Sequence, residues 1–187
     1  MRKNACFALI ALVLGLAAHG CATTNSAKGT ETPGGFLRAE TFGGLLGALE
    51  GGALGDYSDR KEKELRETMQ IHSEEPDITA VKVRIEAVRV TPSVADPGDT
   101  IDIRIKYAIL TPQDDMTVPV HETREIIFEE KPVGQASVDI ERQGGTWRSS
   151  VPITLPMNVL PGTYQVVASV RTPNGEEDIE EVSFRVR

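Results

Sequence analysis

The sequence predicts a mainly β protein: a seven-stranded β-sandwich over residues 77–187, preceded by a short glycine-rich helical segment. Three observations predict it. After Pro76, apolar residues recur at every second position, the period of strands with one face buried. Turn-forming clusters, among them Asp96-Pro97-Gly98-Asp99 and Pro173-Asn174-Gly175, cut that stretch into short pieces. Before residue 72, glycines recur every four residues, which is a helical spacing.

The strands follow in order. Val81, Val83 and Ile85 alternate with Lys82, Arg84 and Glu86; the phase slips at Ala87-Val88, as at a bulge or break, and continues through Val90. Thr91-Pro92 and the Asp96–Asp99 cluster then turn the chain. Ile101, Ile103, Ile105, Tyr107 and Ile109 alternate with Asp102, Arg104 and Lys106. Ile126 and Phe128 mark a third strand, and Pro119 just before it suggests an edge, because proline cannot donate to a ladder. Ala136, Val138 and Ile140 mark a fourth strand, and Trp147, Val151, Ile153 and Leu155 a fifth. Tyr164, Val166, Ala168 and Val170 mark a sixth. Pro173-Asn174-Gly175 makes a tight hairpin into the last, marked by Val182, Phe184 and Val186.

Seven strands in about 110 residues resemble an immunoglobulin-like sandwich in count and length. Leu160-Pro161-Gly162-Thr163-Tyr164 resembles a tyrosine corner, in which the Tyr164 hydroxyl pins the turn into its strand. The cysteine pair of antibody domains is missing, and Trp147 falls on a different strand from theirs. The resemblance is therefore to bacterial Ig-like or fibronectin-type modules, and it implies no particular ligand.

The N-terminus reads as an export signal. Arg2 and Lys3 precede an apolar run from Phe7 to Ala18, which is too short to span a bilayer comfortably. Small residues follow and end at Gly20-Cys21, which resembles the lipobox of bacterial lipoproteins; His19 departs from the usual small residue there. Residues 1–20 are thus expected to be removed and Cys21 to be lipidated; ordinary signal cleavage with a free thiol is the alternative. Two or more acyl chains anchor stably where one does not. In such lipoproteins an Asp after the cysteine favours the inner membrane, and Ala22 resembles the outer-membrane class.

Residues 21–35, rich in Thr, Gly, Ser and Pro, are expected to be a flexible tether. Across 36–72, Gly43, Gly47, Gly51 and Gly55 would form one ridge on a helix. Each glycine costs a helix about 1 kcal/mol relative to alanine, and close packing of small residues against another helix offsets that in an apolar medium. Glu50 lies within the segment and argues for a membrane-associated or self-associating helical hairpin rather than a simple spanning helix. Asp56 to Met69 is charged and helix-favouring, with Glu62–Arg66 and Lys63–Glu67 at i,i+4. Gly51 to Arg66 resembles the end of the glycine-zipper domain of bacterial outer-membrane lipoproteins, where the repeat runs into Gly-x-Tyr-x-Asp, an acidic pair and Leu-Arg. The zipper is shorter than in that family, and no OmpA-type domain follows.

The formal charge of −8 becomes −10 without Arg2 and Lys3, with no block of Lys or Arg in the sequence. Nucleic acid is therefore not an expected partner. Both cysteines, Cys6 and Cys21, lie near the N-terminus, so neither a disulfide nor a thiolate metal site is expected in the folded part. His72 and His121 have no paired-ligand spacing, and the acidic clusters Asp114-Asp115 and Glu176-Glu177-Asp178 read as solvated turn acids rather than a calcium site. No cofactor, metal or catalytic residue is expected. The expected function is a non-catalytic envelope protein, lipid-anchored in the outer membrane, that holds an Ig-like binding or assembly module in the periplasm or at the surface for an envelope protein partner. The alternatives are a membrane oligomer joined through the zipper and a periplasmic enzyme.

Overall fold

The computed structural model describes residues 35–40, 52–72 and 78–187, all within the unit Glu31–Arg187. Cys21, Gly43, Gly47 and Gly51 lie outside the described residues. Eleven strands and one short helix are described. They are β1 (Gly35–Glu40), β2 (Ala53–Leu54), β3 (Ser58–Glu64), α1 (Leu65–Ile71), β4 (Lys82–Thr91), β5 (Val94–Ala95), β6 (Thr100–Leu110), β7 (Thr117–Phe128), β8 (Lys131–Gln143), β9 (Gly145–Thr154), β10 (Gly162–Arg171) and β11 (Glu177–Val186). No helix among the described residues is long and apolar enough to cross a membrane.

The strands form two sheets. One is six-stranded in the order β1-β8-β7-β10-β11-β5; the other is five-stranded, β2-β9-β6-β4, with β3 also paired to β9. All pairings are antiparallel except β5 with β11. Apolar residues of one sheet, such as Ile101 and Ile103, pack with Ile126, Val166 and Phe184 of the other, so the chain is a β-sandwich. The inward phase of β6 buries Ile101, Ile103, Ile105, Tyr107 and Ile109. The phase slip near Ala87 is a register shift in the β4–β6 pairing between Ile85 and Ala87, which keeps Val83, Ile85 and Val90 facing inward.

Tyr164 sits at the start of β10, stacked between Phe128 (ring centroids 4.4 Å apart) and Phe184 (5.2 Å). Its hydroxyl donates to the Leu160 carbonyl oxygen at 2.9 Å, the arrangement of a tyrosine corner. The hairpin at Pro173-Asn174-Gly175 closes with Gly175 at φ 89°, a left-handed conformation that glycine adopts without strain.

Three expectations are corrected. The charged stretch expected to be helical is a strand over Ser58–Glu64, and the helix begins only at Leu65. An open edge of β9 gives β3 a backbone partner from Ser58↔Ser150 to Glu64↔Gly145, and this ladder outweighs the few tenths of a kcal/mol from each i,i+4 ion pair. Gly55 lies on no helix. It is pressed against β9, where its N–H donates to Pro152 O at 2.8 Å and a Cβ would lie 2.7 Å from Pro152 Cγ. Pro119, expected at an edge, lies inside β7, a strand between β8 and β10. The ladder to β10 stops at His121↔Arg171, so Pro119 is paired on one side only, against Glu141 of β8.

Candidate functional site

The inward phase of β7 runs Val118, Val120, Glu122, Arg124, Ile126, and every one of these residues is buried. Val118 and Val120 belong to one apolar cluster and Ile126 to another. Glu122 and Arg124 form a charged layer between the two, and both side chains are fully buried. Charges in such a place must be paired and hydrogen-bonded.

Glu122 Oε1 accepts from the Tyr107 hydroxyl at 2.6 Å and from the Tyr57 hydroxyl at 3.1 Å. Its Oε2 accepts from Ser149 Oγ at 2.6 Å and from Arg124 Nη2 at 3.0 Å. Arg142 closes the cluster from β8. Its Nε donates to Tyr107 Oη at 3.1 Å, and its Nη2 donates to Tyr57 Oη at 2.7 Å and Asp59 Oδ2 at 2.6 Å. Glu122 and Asp59 balance Arg124 and Arg142, so the group is formally neutral. Arg124 Nε and Nη1 find no acceptor among the described residues.

Burial first, and then the Glu122 carboxylate, push the Tyr57 and Tyr107 phenols well above their ordinary value, so both are O–H donors at neutral pH. Burial disfavours charge on Arg142, yet the oxygens of Tyr107, Tyr57 and Asp59 hold its pKa above the ordinary value. Trp147 covers the outer side of Arg142: the guanidinium carbon is 4.3 Å from the ring centroid and Lys61 Nζ is 5.9 Å away. The Trp147 Nε1–H donates to Gln143 O at 2.9 Å.

Tyr57 and Asp59 are the residues of the Gly-x-Tyr-x-Asp motif, and β3 carries Asp59 inward to Arg142. Gly145 permits this approach. It stands at φ 136° with its α-carbon so close to the Lys63 carbonyl that a side chain would collide. The sequence signal for this cluster was the phase of β7, in which Glu122 and Arg124 fall in step with Val118, Val120 and Ile126. Without a partner for either charge in sight, that phase was not recognisable as core.

A second network lies on the outward side of the β9-β6-β4 sheet, under α1. Glu86 accepts from Lys106 Nζ at 2.8 Å and pairs with His72 Nε2 at 3.2 Å. Burial raises the Glu86 pKa, but the hydrogen bonds from Lys106 and His72 outweigh it and leave the carboxyl below its ordinary value. Thr68 of α1 meets Thr146 of β9 at 3.0 Å, which seats the helix. His121 on the other sheet pairs with Asp139 at 2.6 Å beside a shallow hollow of about 390 Å³ flanked by Pro119, Arg171 and Pro173. Asp178 accepts from the Ile85 N–H at 2.6 Å. Among the described residues, no three His, Cys, Asp or Glu side chains converge as a metal site would require.

No protein-family model and no curated protein matches the chain. Among solved structures, the chain is similar over 57% of its length to 30% of a Pseudomonas fluorescens alkylpurine DNA glycosylase bound to DNA containing an abasic site analog, at 19% identity and a TM-score of 0.40. It is similar over 57% of its length to 16% of a β-glucosidase from Erythrobacter marinus, at 10% identity and a TM-score of 0.43. It is similar over 59% of its length to 50% of a sporulation control protein from Bacillus subtilis, at 14% identity and a TM-score of 0.36. The chain spans half or less of each of these proteins, and similarity this weak carries nothing about function.

Proposed function

We propose that this chain is a non-catalytic lipoprotein of the bacterial envelope, anchored through acylated Cys21, that presents its sandwich in the periplasm as a binding or assembly module. The observation that carries the anchor is the sequence around Cys21, a small-residue-flanked cysteine directly after an apolar run of signal length. Strand order supports reading the sandwich as immunoglobulin-like. The core strands β4, β6 and β9 fall together in one sheet and β8, β7, β10 and β11 in the other, the A-B-E and C′-C-F-G arrangement of fibronectin-type modules. Parallel pairing of β5 with β11 and the Tyr164 hydrogen bond support the same reading. The non-catalytic reading is favoured by the buried cluster, whose titratable groups bond to one another in the interior.

Mass spectrometry of the mature N-terminus tests the anchor. The expected product starts at Cys21 and carries acyl chains; an unmodified Cys21 thiol on a chain released into the periplasm would sink the proposal. Crosslinking in cells followed by co-purification then tests the module: a discrete envelope protein is expected on the wild-type chain, and its absence removes the binding role.

A further inference from the structure

The sequence has no basic block, yet the fold makes a basic face. On the outward side of the β3-β9-β6-β4 sheet, Arg60, Arg148 and Lys106 lie in one row, with Arg60 opposite Arg148 and Arg148 opposite Lys106. In the next row Ser58 lies opposite Ser150, Ser150 opposite Arg104, and Arg104 opposite Arg89. Three cross-strand pairs therefore set like charges directly opposite each other, about 5 Å apart, an arrangement that destabilises a sheet. Glu62 relieves part of it, pairing with Arg148, with Arg60 at 3.3 Å and with Lys106 at 3.9 Å. Asp102 pairs with Arg104 at 2.6 Å, and Glu86 with Lys106 at 2.8 Å. The five cations and three carboxylates named here sum to +2 (5 − 3), on a chain of net charge −8.

Between these rows lies a hollow of about 290 Å³ lined by Ser58, Asp59, Arg60, Arg104, Arg148 and Ser150. Asp59 is held by Arg142, and Ser150 donates to Asp102. Each guanidinium carries five N–H donors, and one carboxylate satisfies at most two of them, so donors remain open on all three arginines. Their side chains are 64%, 46% and 37% exposed for Arg60, Arg104 and Arg148. Three planar forks converging from three strands suit the several oxygens of a tetrahedral anion better than a single planar carboxylate.

We infer that this outward face is a phosphate-binding site, with Arg60, Arg104 and Arg148 as donors to a phosphate ester or anhydride. The inference does not depend on acylation at Cys21. The ligand's phosphate comes either from a lipid headgroup or from a soluble molecule.

The test titrates the full-length chain in detergent, at an ionic strength of about 50 mM where surface charge is only partly screened. Two soluble probes are used: inorganic pyrophosphate, and glycerophosphoglycerol, the headgroup of phosphatidylglycerol. One equivalent of at least one probe is expected to bind saturably. The affinity is expected to fall at least about tenfold in Arg104→Gln/Arg148→Gln, which removes two of the three charge-assisted donors. Binding of pyrophosphate alone assigns a soluble phosphate; binding of the headgroup probe assigns a membrane lipid. Should the double variant fail to melt cooperatively, Arg60→Gln decides, because that side chain is largely exposed; a severalfold loss is expected. No saturable binding of either probe, as an acidic protein partner would give, overturns the site. So does affinity unchanged in the folded variants.

Discussion

Two regions of the interior share strand β7 and are held together by different forces. At one end, Phe128 stacks on Tyr164 and Tyr164 on Phe184, with apolar neighbours from both sheets. A few residues earlier, Glu122 and Arg124 occupy the same inward phase; they bond each other and the hydroxyls of Tyr57, Tyr107 and Ser149, and Arg142 bonds the two tyrosines in turn, so that the layer draws on four other strands or their flanks. The aromatic end is non-directional: each ring gains by leaving water, and a neighbour of similar shape would serve. The charged layer is directional, and the loss of any one partner leaves another buried group unsatisfied. The charged layer should therefore respond more steeply and less additively to substitution.

The largest effect is expected at its centre. Glu122→Ala strips the carboxylate from buried Arg124 and should destabilise the fold by about 3–5 kcal/mol in urea unfolding. Glu122→Leu combined with Arg124→Leu should recover only part of that loss: it removes the unpaired charge but leaves the buried Tyr107 and Ser149 hydroxyls without their acceptor. A loss below about 1 kcal/mol for Glu122→Ala would place the stability elsewhere.

Next in size is removal of the segment that closes the layer. The sequence marks 77–187 as the sandwich, but a chain beginning at residue 78 lacks Tyr57 and Asp59, two of the partners of Arg142. It should unfold at least about 2 kcal/mol more easily than a chain beginning at residue 31. Equal stability of the two chains would make β3 an ornament of the β9 edge rather than part of the core.

At the aromatic end the effect is smaller. Burial pushes the Tyr164 phenol up to about 12, so the hydroxyl donates throughout the physiological range. Tyr164→Phe keeps the stacking and loses only that hydrogen bond, a cost of about 1 kcal/mol by thermal unfolding. No change would remove the tyrosine corner from the stabilising contacts.

The smallest effect concerns Glu86 on the outward side. Its folded pKa lies below the ordinary carboxyl value because Lys106 and His72 bond the carboxylate, so the stability it contributes is present above that ordinary value. It is lost as pH falls through the lowered folded pKa. Glu86→Gln should lower stability at pH 7 by less than about 1 kcal/mol, because the group is partly solvated. It should also flatten the acid limb of the stability curve below about pH 4.5. An acid limb identical to wild type would show that Lys106 and His72 do not favour the ionised carboxylate.

The sequence by itself determined the mainly β alternation after residue 77, the slip near Ala87, the hairpin at Asn174-Gly175 and the place of Tyr164 at the turn into its strand. Each depends on residues close together in the chain: alternation is a property of neighbours, a turn of four residues, a tyrosine corner of five. Tertiary structure decided what depends on residues far apart. Ser58–Glu64 has local ion pairs that favour a helix, and only the free edge of β9, with Arg142 behind it, makes it a strand. Glu122 lies 65 residues from Tyr57 and 27 from Ser149, and nothing local announces either partner. The five cations of the outward face come from four strands and become a surface only when those strands pair. Burial of a charge and repulsion between like charges are both set by distance in space, and sequence spacing carries that distance only within a strand or a turn.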